Sequence, residues 1–406
     1  MRFTKYLAFL FFFSLAACGE SQTSPGESEI PKVDPGTAPW ERVAPERVAA
    51  ECGLDPELLA EADEKLNAPY AVVRYGKLCH EYYPEGKDEM QEVFSATKTF
   101  GALVTGMVAW ETRDLQRNGR KTGPLSANDR VDHWLDEFTF NQDAKVEHVL
   151  GMVGFNEDLN YPNRTFEYDA VGTREINRLS DILNTAIAQD PERLGANLEE
   201  FTQKFVFDRL GMTNSSWSGE IFGVSWASTV HDMARVGLVM MNGGEWNGER
   251  IVSKDWIYRM IHPSFEDTNP GVADYLVASY GYLTWLSTRA NRGMFGRCSP
   301  PSLWNEYPHG ETSQAPNCGY PEGVSCEQEF DAGAWSAWGF LGQYISAQPG
   351  LNLVLTGKYM GDELLPGGFW DAVRPALVAL DPIYAGDEEA FCSAYAEGAY
   401  APDLQN

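Results

Sequence analysis

Ser95 and Lys98 are the residues of this sequence whose types and spacing best suit covalent chemistry. They stand three positions apart in VFSATKTFGALVTGMVAW, residues 93–110. A serine hydroxyl attacks a carbonyl group when a base removes its proton, and a lysine in a desolvated pocket loses proton affinity and can be that base. No other lysine of the chain has a serine three positions before it.

The element that must position this pair is an apolar helix. Its hydrophobic residues recur at helical spacing and predict a buried stripe: Phe100, Leu103, Val104, Met107 and Val108. Ser95 then lies in the first turn, and Lys98 projects from the same face. The partial positive charge of a helix N-terminus can stabilise a developing oxyanion there. The non-catalytic alternative is that Ser95 only caps the helix and Lys98 is an exposed surface residue.

The patterns along the chain predict one domain whose sheet is built from both ends of the sequence. Residues 55–66 have helical spacing, and residues 70–83 have the pattern of two strands joined by a glycine-containing turn. Helical patterns fill 94–260, β-rich patterns return at 280–287, 338–349 and 351–359, and a helix is predicted over 368–380. The expected fold is α/β (α+β), with a sheet region over about 41–93 and 270–406 and an inserted helical region over about 94–269.

The N-terminus has the pattern of an export signal. Residues 1–17 combine a basic start with a short apolar stretch, and LAAC, ending at Cys18, resembles the bacterial lipobox. We therefore expect a signal peptide at 1–17, lipidation of Cys18, a flexible tether over 18–40 and a domain over 41–406. Gly19 in place of an aspartate favours an exported bacterial lipoprotein of the outer membrane, facing the periplasm or the cell surface. An ordinary signal peptide is the alternative.

The net charge limits the classes of binding partner, and the cysteine count indicates disulfide bonds. The 406 residues carry a formal net charge of −28, which repels nucleic acid and anionic lipid, so membrane contact is expected through the lipid alone. Besides Cys18 the chain has six cysteines, an even number that suits disulfides in an exported protein: Cys52, Cys79, Cys298, Cys318, Cys326 and Cys392. We expect one bond within 298–326. The sequence lacks CxxC and HExxH spacings, so neither a metal nor an organic cofactor is predicted.

Several longer segments resemble the serine β-lactamase and penicillin-binding-protein superfamily, whose first motif is S-x-x-K. The resemblance spans residues 55–380 and is carried by VEHVLGMVGF (146–155), FDRLGMTNSSW (207–217) and the stretch from STVHDMARVG to SKDWI (228–257). Within the superfamily, NEDLNYP and FEYDAVGTREINRL are similar to the aminohexanoate-dimer hydrolase and class C-like esterase branch. The resemblance implies a β-lactamase-like fold, an antiparallel sheet flanked by helices with an inserted all-helical region.

The family's two other motifs match this chain only in part. The tyrosine motif, usually Y-x-N, falls on Tyr168, Asp169 and Ala170, so the asparagine is missing. The resemblance makes Tyr168 the partner of Lys98 in proton transfer, and Asp169 a possible substitute for the amide. The edge-strand motif, K-T-G or H-x-G, falls on residues 337–339.

The edge-strand positions give the remaining site predictions. Ala337 supplies no cation for a substrate carboxylate, whereas Gly339 suits backbone close to substrate. The N–H groups of Ser95 and Phe340 would form the oxyanion hole. Trp285 and Trp338 would line the substrate pocket, unless they serve only core packing.

Together these features predict a serine hydrolase with a small ester or amide substrate. It would form an acyl-enzyme on Ser95 and act as a carboxylesterase or an oligoamide hydrolase of the aminohexanoate type. Two alternatives stay open: a β-lactamase or D-alanyl-D-alanine carboxypeptidase, and a non-catalytic envelope binding protein on the same fold. The sequence does not predict the oligomeric state.

Overall fold

The computed structural model describes residues 33–159, 166–262, 264, 280–286, 335–348, 351–361 and 366–377. The chain divides into two compact units, Met1–Pro31 and Lys32–Asn406, and all described residues lie in the second. The predictions of a signal peptide at 1–17, of lipidation at Cys18 and of a disulfide within 298–326 therefore lie outside the described residues.

A six-stranded sheet is drawn from both ends of the domain. Its strands are β1 (Tyr70–Arg74), β2 (Lys77–Tyr82), β7 (Trp285–Leu286), β8 (Trp335–Gly339), β9 (Gln343–Gln348) and β10 (Leu353–Gly357). They stand in the order β2-β1-β10-β9-β8-β7, and every neighbouring pair is antiparallel. Two short ladders join β3 (Gln91–Glu92) to β4 (Ala227–Ser228) and β5 (Glu245–Trp246) to β6 (Glu249–Arg250). The predicted antiparallel sheet is confirmed.

Strand β1 is buried on both faces, which explains its run of apolar residues. Its side chains alternate across the sheet, so Ala71 and Val73 belong to one hydrophobic cluster and Tyr70 and Val72 to another. The predicted turn to β2 has both of its central residues in the left-handed region, with Gly76 at φ 70°. That geometry suits a two-residue hairpin turn.

Helices cover both faces of the sheet. Helices α1 (Pro45–Cys52), α2 (Pro56–Leu66) and α12 (Pro366–Val373) contribute to the second cluster. The predicted final helix ends early because Pro375 lacks an N–H. Helices α3 (Thr97–Thr112) and α10 (Val230–Met241) contribute to the first cluster. The other helices are α4 (Val131–Trp134), α5 (Val146–Leu150), α6 (Arg178–Ile187), α7 (Pro191–Leu194), α8 (Leu198–Thr202), α9 (Asp208–Leu210) and α11 (Lys254–Ile261), with a π-helical turn, Gln203–Phe207, between α8 and α9.

Helix α3 confirms the predicted apolar helix and is more deeply buried than a single stripe requires. All five residues of the predicted stripe are inaccessible to solvent. Two glycines admit neighbouring rings: a Cβ on Gly101 would lie 2.6 Å from Phe222, and one on Gly106 would lie 2.4 Å from Trp256. Because α3 is enclosed on all sides, its first turn is held in one position.

The end of the predicted tether is packed against the domain. The buried guanidinium group of Arg235 donates hydrogen bonds to the carbonyl oxygens of Gly36 (2.7 Å) and Ala38 (2.6 Å). The Trp40 indole donates to the carbonyl of His231 (3.0 Å). The prediction of a flexible tether up to residue 40 is therefore wrong for its last residues. Their polar, proline-rich composition is typical of a tether and does not indicate that a buried arginine, Arg235, binds their main-chain carbonyls.

One disulfide joins the end of α1 to β2. Cys52 and Cys79 are fully buried and bonded, with 6.1 Å between their Cα atoms. The sequence allowed this pair among fifteen possible pairings without selecting it. None of the helices in the described part of the chain is long and apolar enough to cross a membrane.

Candidate active site

Ser95 lies on a short 3₁₀ turn, Phe94–Ala96, that leads directly into α3. Phe94 has a φ of 48°, in the left-handed region, so the backbone turns sharply just before Ser95. The turn is fixed to a neighbouring loop. The Val93 N–H donates to the carbonyl of Trp226 (2.9 Å), and the Trp226 N–H donates to the hydroxyl of Thr97 (3.2 Å).

The side chain of Lys98 is buried at the start of α3 with its nitrogen beside Ser95. Its Nζ donates to Ser95 Oγ (2.8 Å), to the carbonyl oxygen of Ala170 (2.7 Å) and to that of Gly223 (2.9 Å). Only 1% of the residue is exposed. The structure thus brings together the serine and the lysine that the sequence singled out, and it excludes the alternative of an exposed surface lysine.

Burial gives Lys98 the proton affinity of a base that works near neutral pH. Desolvation lowers its pKa to about 7, and the negative charge of Asp169 opposes this only in part. Its two carbonyl partners accept hydrogen bonds without supplying a full negative charge, so they fix the nitrogen in place and leave its charge uncompensated. A substantial fraction of Lys98 is therefore neutral at neutral pH and able to accept a proton.

Tyr168 forms one wall of the site. The centroid of its ring lies 5.1 Å from Lys98 Nζ. Burial raises the pKa of Tyr168, while a hydrogen bond with the Ser95 side chain acts in the opposite direction. The phenol consequently keeps its proton at neutral pH. Trp285 packs against it with 5.6 Å between ring centroids, and Trp338 lies 6.2 Å from Trp285.

The carboxylate of Asp169 has a structural role that differs from the predicted one. It accepts hydrogen bonds from the backbone N–H groups of Arg174 (3.1 Å), Glu175 (2.9 Å) and Ile176 (3.3 Å). Only 2% of the residue is exposed. Asp169 therefore stabilises the loop that carries Tyr168 and does not line an open pocket, so the prediction that it replaces the missing amide is wrong.

Strand β8 lies against the turn that carries Ser95. A Cβ on Gly339 would stand 2.1 Å from the carbonyl oxygen of Val93, so only glycine allows this approach. The exposed ring of Phe340 packs edge-on against Phe94, with 5.8 Å between centroids. Ala337 is fully buried in the core, which corrects its predicted place in the substrate pocket. Glycine at 339 is thus required for packing beside Ser95, a reason that the sequence analysis did not give.

Two functional groups that sequence reasoning missed are the carbonyls of Ala170 and Gly223, because a main-chain oxygen has no signature in side-chain types. The one feature of the sequence that could have indicated such a close contact is the glycine at position 223. A Cβ there would lie 2.8 Å from the Ile176 side chain and 3.3 Å from Lys98 Nζ. A larger residue would therefore displace the lysine from its position.

The described residues contain no group of three or more histidine, cysteine or carboxylate side chains placed to hold a metal ion. The chemistry available at this site comes from a hydroxyl, an amine of lowered pKa and a phenol. These are the groups of nucleophilic catalysis with general acid–base assistance.

Comparison with known proteins relates this geometry to known folds. No protein-family model matches the chain, and no curated protein matches its sequence. Among solved structures, EstCE1, a hydrolase with promiscuous acyltransferase activity, is 10% identical, with a TM-score of 0.50 over 83% of this chain and 100% of its own. A family VIII carboxylesterase is 14% identical, with a TM-score of 0.49 over 79% of this chain and 96% of its own. A penicillin-binding-protein homologue from Caulobacter crescentus is 15% identical, with a TM-score of 0.48 over 80% and 97%. The chain has the fold of the serine β-lactamase and penicillin-binding-protein superfamily, as its motifs predicted.

Proposed function

We propose that this protein is a serine hydrolase that cleaves ester or amide bonds through an acyl-enzyme on Ser95. The observation that carries the proposal is the 2.8 Å hydrogen bond between Lys98 Nζ and Ser95 Oγ in a site where burial lowers the lysine pKa to about 7. A nucleophile within hydrogen-bond reach of a base of matched pKa is what acyl transfer requires. The fold shared with the hydrolase EstCE1 supports the same reading.

The reaction proceeds in two balanced steps. Neutral Lys98 takes the proton of Ser95 as Oγ bonds to the substrate carbonyl carbon, and the N–H groups of Ser95 and Phe340 stabilise the oxyanion. Tyr168, whose raised pKa keeps it protonated, returns a proton to the leaving alcohol or amine as its bond to the carbonyl carbon breaks. The proton on Lys98 then passes to the Tyr168 phenolate, so that Lys98 is neutral again. Water attacks the carbonyl carbon of the acyl-enzyme and gives a proton to Lys98, the bond from that carbon to Ser95 Oγ breaks, and Oγ receives the proton back from Lys98 as the acid is released.

The surroundings favour esters and non-peptide amides over penicillin-like acids. The position at which the superfamily's edge-strand motif places a cation holds a buried alanine here, Ala337. The aromatic side chains of Tyr168 and Trp285 stand beside the site instead. A substrate that depends on a carboxylate–cation contact finds no partner at that position.

Labelling with a fluorophosphonate tests the proposal. We expect the purified domain to be labelled at Ser95 and to hydrolyse p-nitrophenyl esters or short oligoamides, and S95A to do neither. An unlabelled wild type without hydrolytic activity would falsify the proposal and favour a non-catalytic binding protein. Rapid turnover of nitrocefin would instead support the β-lactamase alternative.

We also propose that the protein is exported and anchored by a lipid on Cys18. The lipobox-like LAAC sequence supports this, and so does the Cys52–Cys79 disulfide, since such bonds persist mainly in oxidising compartments. Cells grown with labelled palmitate should incorporate it into the wild type and not into C18A. Equal incorporation, or none in either protein, contradicts lipidation at this cysteine.

A further inference from the structure

Several exposed hydrophobic side chains lie on segments that lead to, or pack beside, the turn of Ser95 and the side chain of Lys98. Among the residues that the structure describes, six large hydrophobic side chains are exposed, and one of them, Val33, lies beside Gly76 in the turn between β1 and β2. The other five, each 40% to 60% exposed, are Met90, Val171, Ile221, Phe340 and Tyr359. We refer to these five as the apolar rim. Exposed apolar side chains gathered in one place mark a binding surface more often than scattered ones do.

Two residues of the apolar rim lie on the loops that hold Lys98. Val171 follows Ala170, whose carbonyl accepts a hydrogen bond from Lys98 Nζ. Ile221 precedes Gly223, the second carbonyl partner, by two residues. The Val224 N–H also donates to the Ile221 carbonyl (3.3 Å), which closes that loop. Both side chains are therefore fixed close to the base.

The other three residues lie on the side formed by the sheet. Phe340 contacts Phe94, the residue before Ser95. The segment that follows Tyr359 packs on the turn after Phe340, where the Met360 N–H donates to the Gly342 carbonyl (3.3 Å). Met90 follows Glu89, whose carbonyl accepts a hydrogen bond from Lys358. The apolar rim is thus carried by the loops that hold Lys98 and by segments that pack beside the turn of Ser95.

The charges near the apolar rim exclude an anionic ligand. Glu92 and Glu220 are exposed on the same segments. The basic residues of these segments other than Lys98 are each in an ion pair: Lys87 with Glu89, Arg174 with Glu167, and Lys358 with Asp88. A neutral substrate meets no repulsion here, whereas a carboxylate product is repelled by the exposed acids.

We propose that the apolar rim binds the acyl chain of a neutral ester, with Phe340, Val171 and Ile221 setting a preference for an extended aliphatic chain over acetyl. The inference rests on the proposed hydrolase function and adds a substrate class to it. The acyl chain is the occupant because it stays attached to Ser95 through both steps, within reach of side chains that flank Ser95. Each methylene group that the chain buries against these side chains stabilises the transition state further, because more apolar area is removed from water.

The experiment compares p-nitrophenyl octanoate with p-nitrophenyl acetate in wild type, F340A, V171A and I221A. We expect the octanoate-to-acetate ratio of kcat/KM to fall about tenfold in F340A and about threefold in V171A and I221A, because less apolar area covers the chain. V33A is the matched control, since it shortens another exposed valine, one beside the turn between β1 and β2, and its ratio should equal that of the wild type.

The outcomes separate the two proposals. If all three variants keep the wild-type ratio while Ser95 is still labelled by fluorophosphonate and acetate is still hydrolysed, the acyl-chain inference is wrong and the hydrolase proposal stands. A fall in V33A equal to that in V171A also overturns the inference, because the effect would not be local. If the wild type is neither labelled nor active on any ester, the proposed function itself fails.

Discussion

Two lysines of the described chain, Lys98 and Lys358, are almost completely buried, and they differ in what compensates their charge. Lys98 contacts a serine hydroxyl and two carbonyls. Lys358 contacts the carbonyls of Glu89 and Ser228, and the carboxylate of Asp88 lies 3.3 Å from its nitrogen. Burial lowers the pKa of both. At Lys98 the opposing effect comes only from the charge of Asp169, whereas at Lys358 Asp88 opposes it through its charge and through a direct hydrogen bond.

The comparison shows how one residue type can be either a base or a structural cation. A buried ammonium beside a carboxylate stays charged and holds segments together. A buried ammonium that meets only neutral acceptors readily gives up its proton. The missing asparagine of the tyrosine motif fits this picture, since the Ala170 carbonyl contacts Lys98 in a position where a side-chain amide was expected.

The largest expected effect is the loss of activity in K98M. Removing the base should lower kcat/KM for p-nitrophenyl acetate by about 10³-fold, the usual contribution of a positioned general base. K358M is the matched control, with the same substitution at the other buried lysine, and should stay within about threefold of the wild type well below its melting temperature. Comparable losses in the two variants would contradict the distinction between the lysines.

The free energy of unfolding should respond in the opposite order, with the larger loss in K358M and the smaller in K98M. K358M leaves Asp88 without its buried partner, so the free energy of unfolding should fall by about 3–4 kcal/mol. K98M loses hydrogen bonds but also removes a poorly solvated charge, so its change should stay below about 1 kcal/mol. Urea titration measures both. If K98M proves the less stable variant, Lys98 has the structural role assigned to Lys358.

A buried acid extends the comparison to the opposite charge. Glu175 is 2% exposed, accepts a hydrogen bond from the Gly154 N–H (3.3 Å), and burial raises its pKa to about 8. In the unfolded chain this carboxyl ionises near its ordinary pKa of 4.5, so folding loses stability as pH rises from about 4.5 to 8. The free energy of unfolding of E175Q should therefore exceed that of the wild type by about 4 kcal/mol at pH 8 and by almost nothing at pH 4. An equal difference at both pH values would show that the gain has another cause.

The smallest expected effect is the pH dependence of the wild type. Only neutral Lys98 accepts the serine proton, and its pKa is about 7. The value of kcat/KM should therefore rise about tenfold between pH 6 and pH 8 and then level off. E175Q should show the same midpoint in stopped-flow measurements with p-nitrophenyl acetate. A midpoint that shifts in E175Q would assign the titration to the carboxyl.

Local patterns predicted the parts of the site that depend on local structure. The spacing of Phe100, Leu103 and Met107 predicted the helix. Helical geometry in turn predicted that Ser95 and Lys98 lie side by side. The family motif added Tyr168, which lies beside Lys98. Periodicity succeeds here because nucleophile and base belong to one turn of one element.

Features that depend on contacts formed only in the folded chain could not be predicted from the sequence. The direction of the Asp169 carboxylate is set by three N–H groups five to seven residues further on. The exposure of Ile221 and Val171 becomes visible only when their loops meet above α3. In the described part of the predicted β-rich stretch, 280–286, strand β7 contains two residues, and Tyr280 and Tyr282 pack into the core.

The pairing of β1 with β10 has a consequence for synthesis. Tyr70 lies opposite Gly357, and Arg74 lies opposite Leu353. Strand β1 is therefore synthesised early but cannot pair until β10 has been synthesised, nearly 300 residues later. Contacts between such distant segments form slowly, because the intervening chain must first be ordered. Strand β8, which lies against the turn of Ser95, also belongs to this late portion. A nascent chain would therefore lack the proposed hydrolytic activity until β8 and β10 have been synthesised, and the onset of that activity would report a late stage of folding.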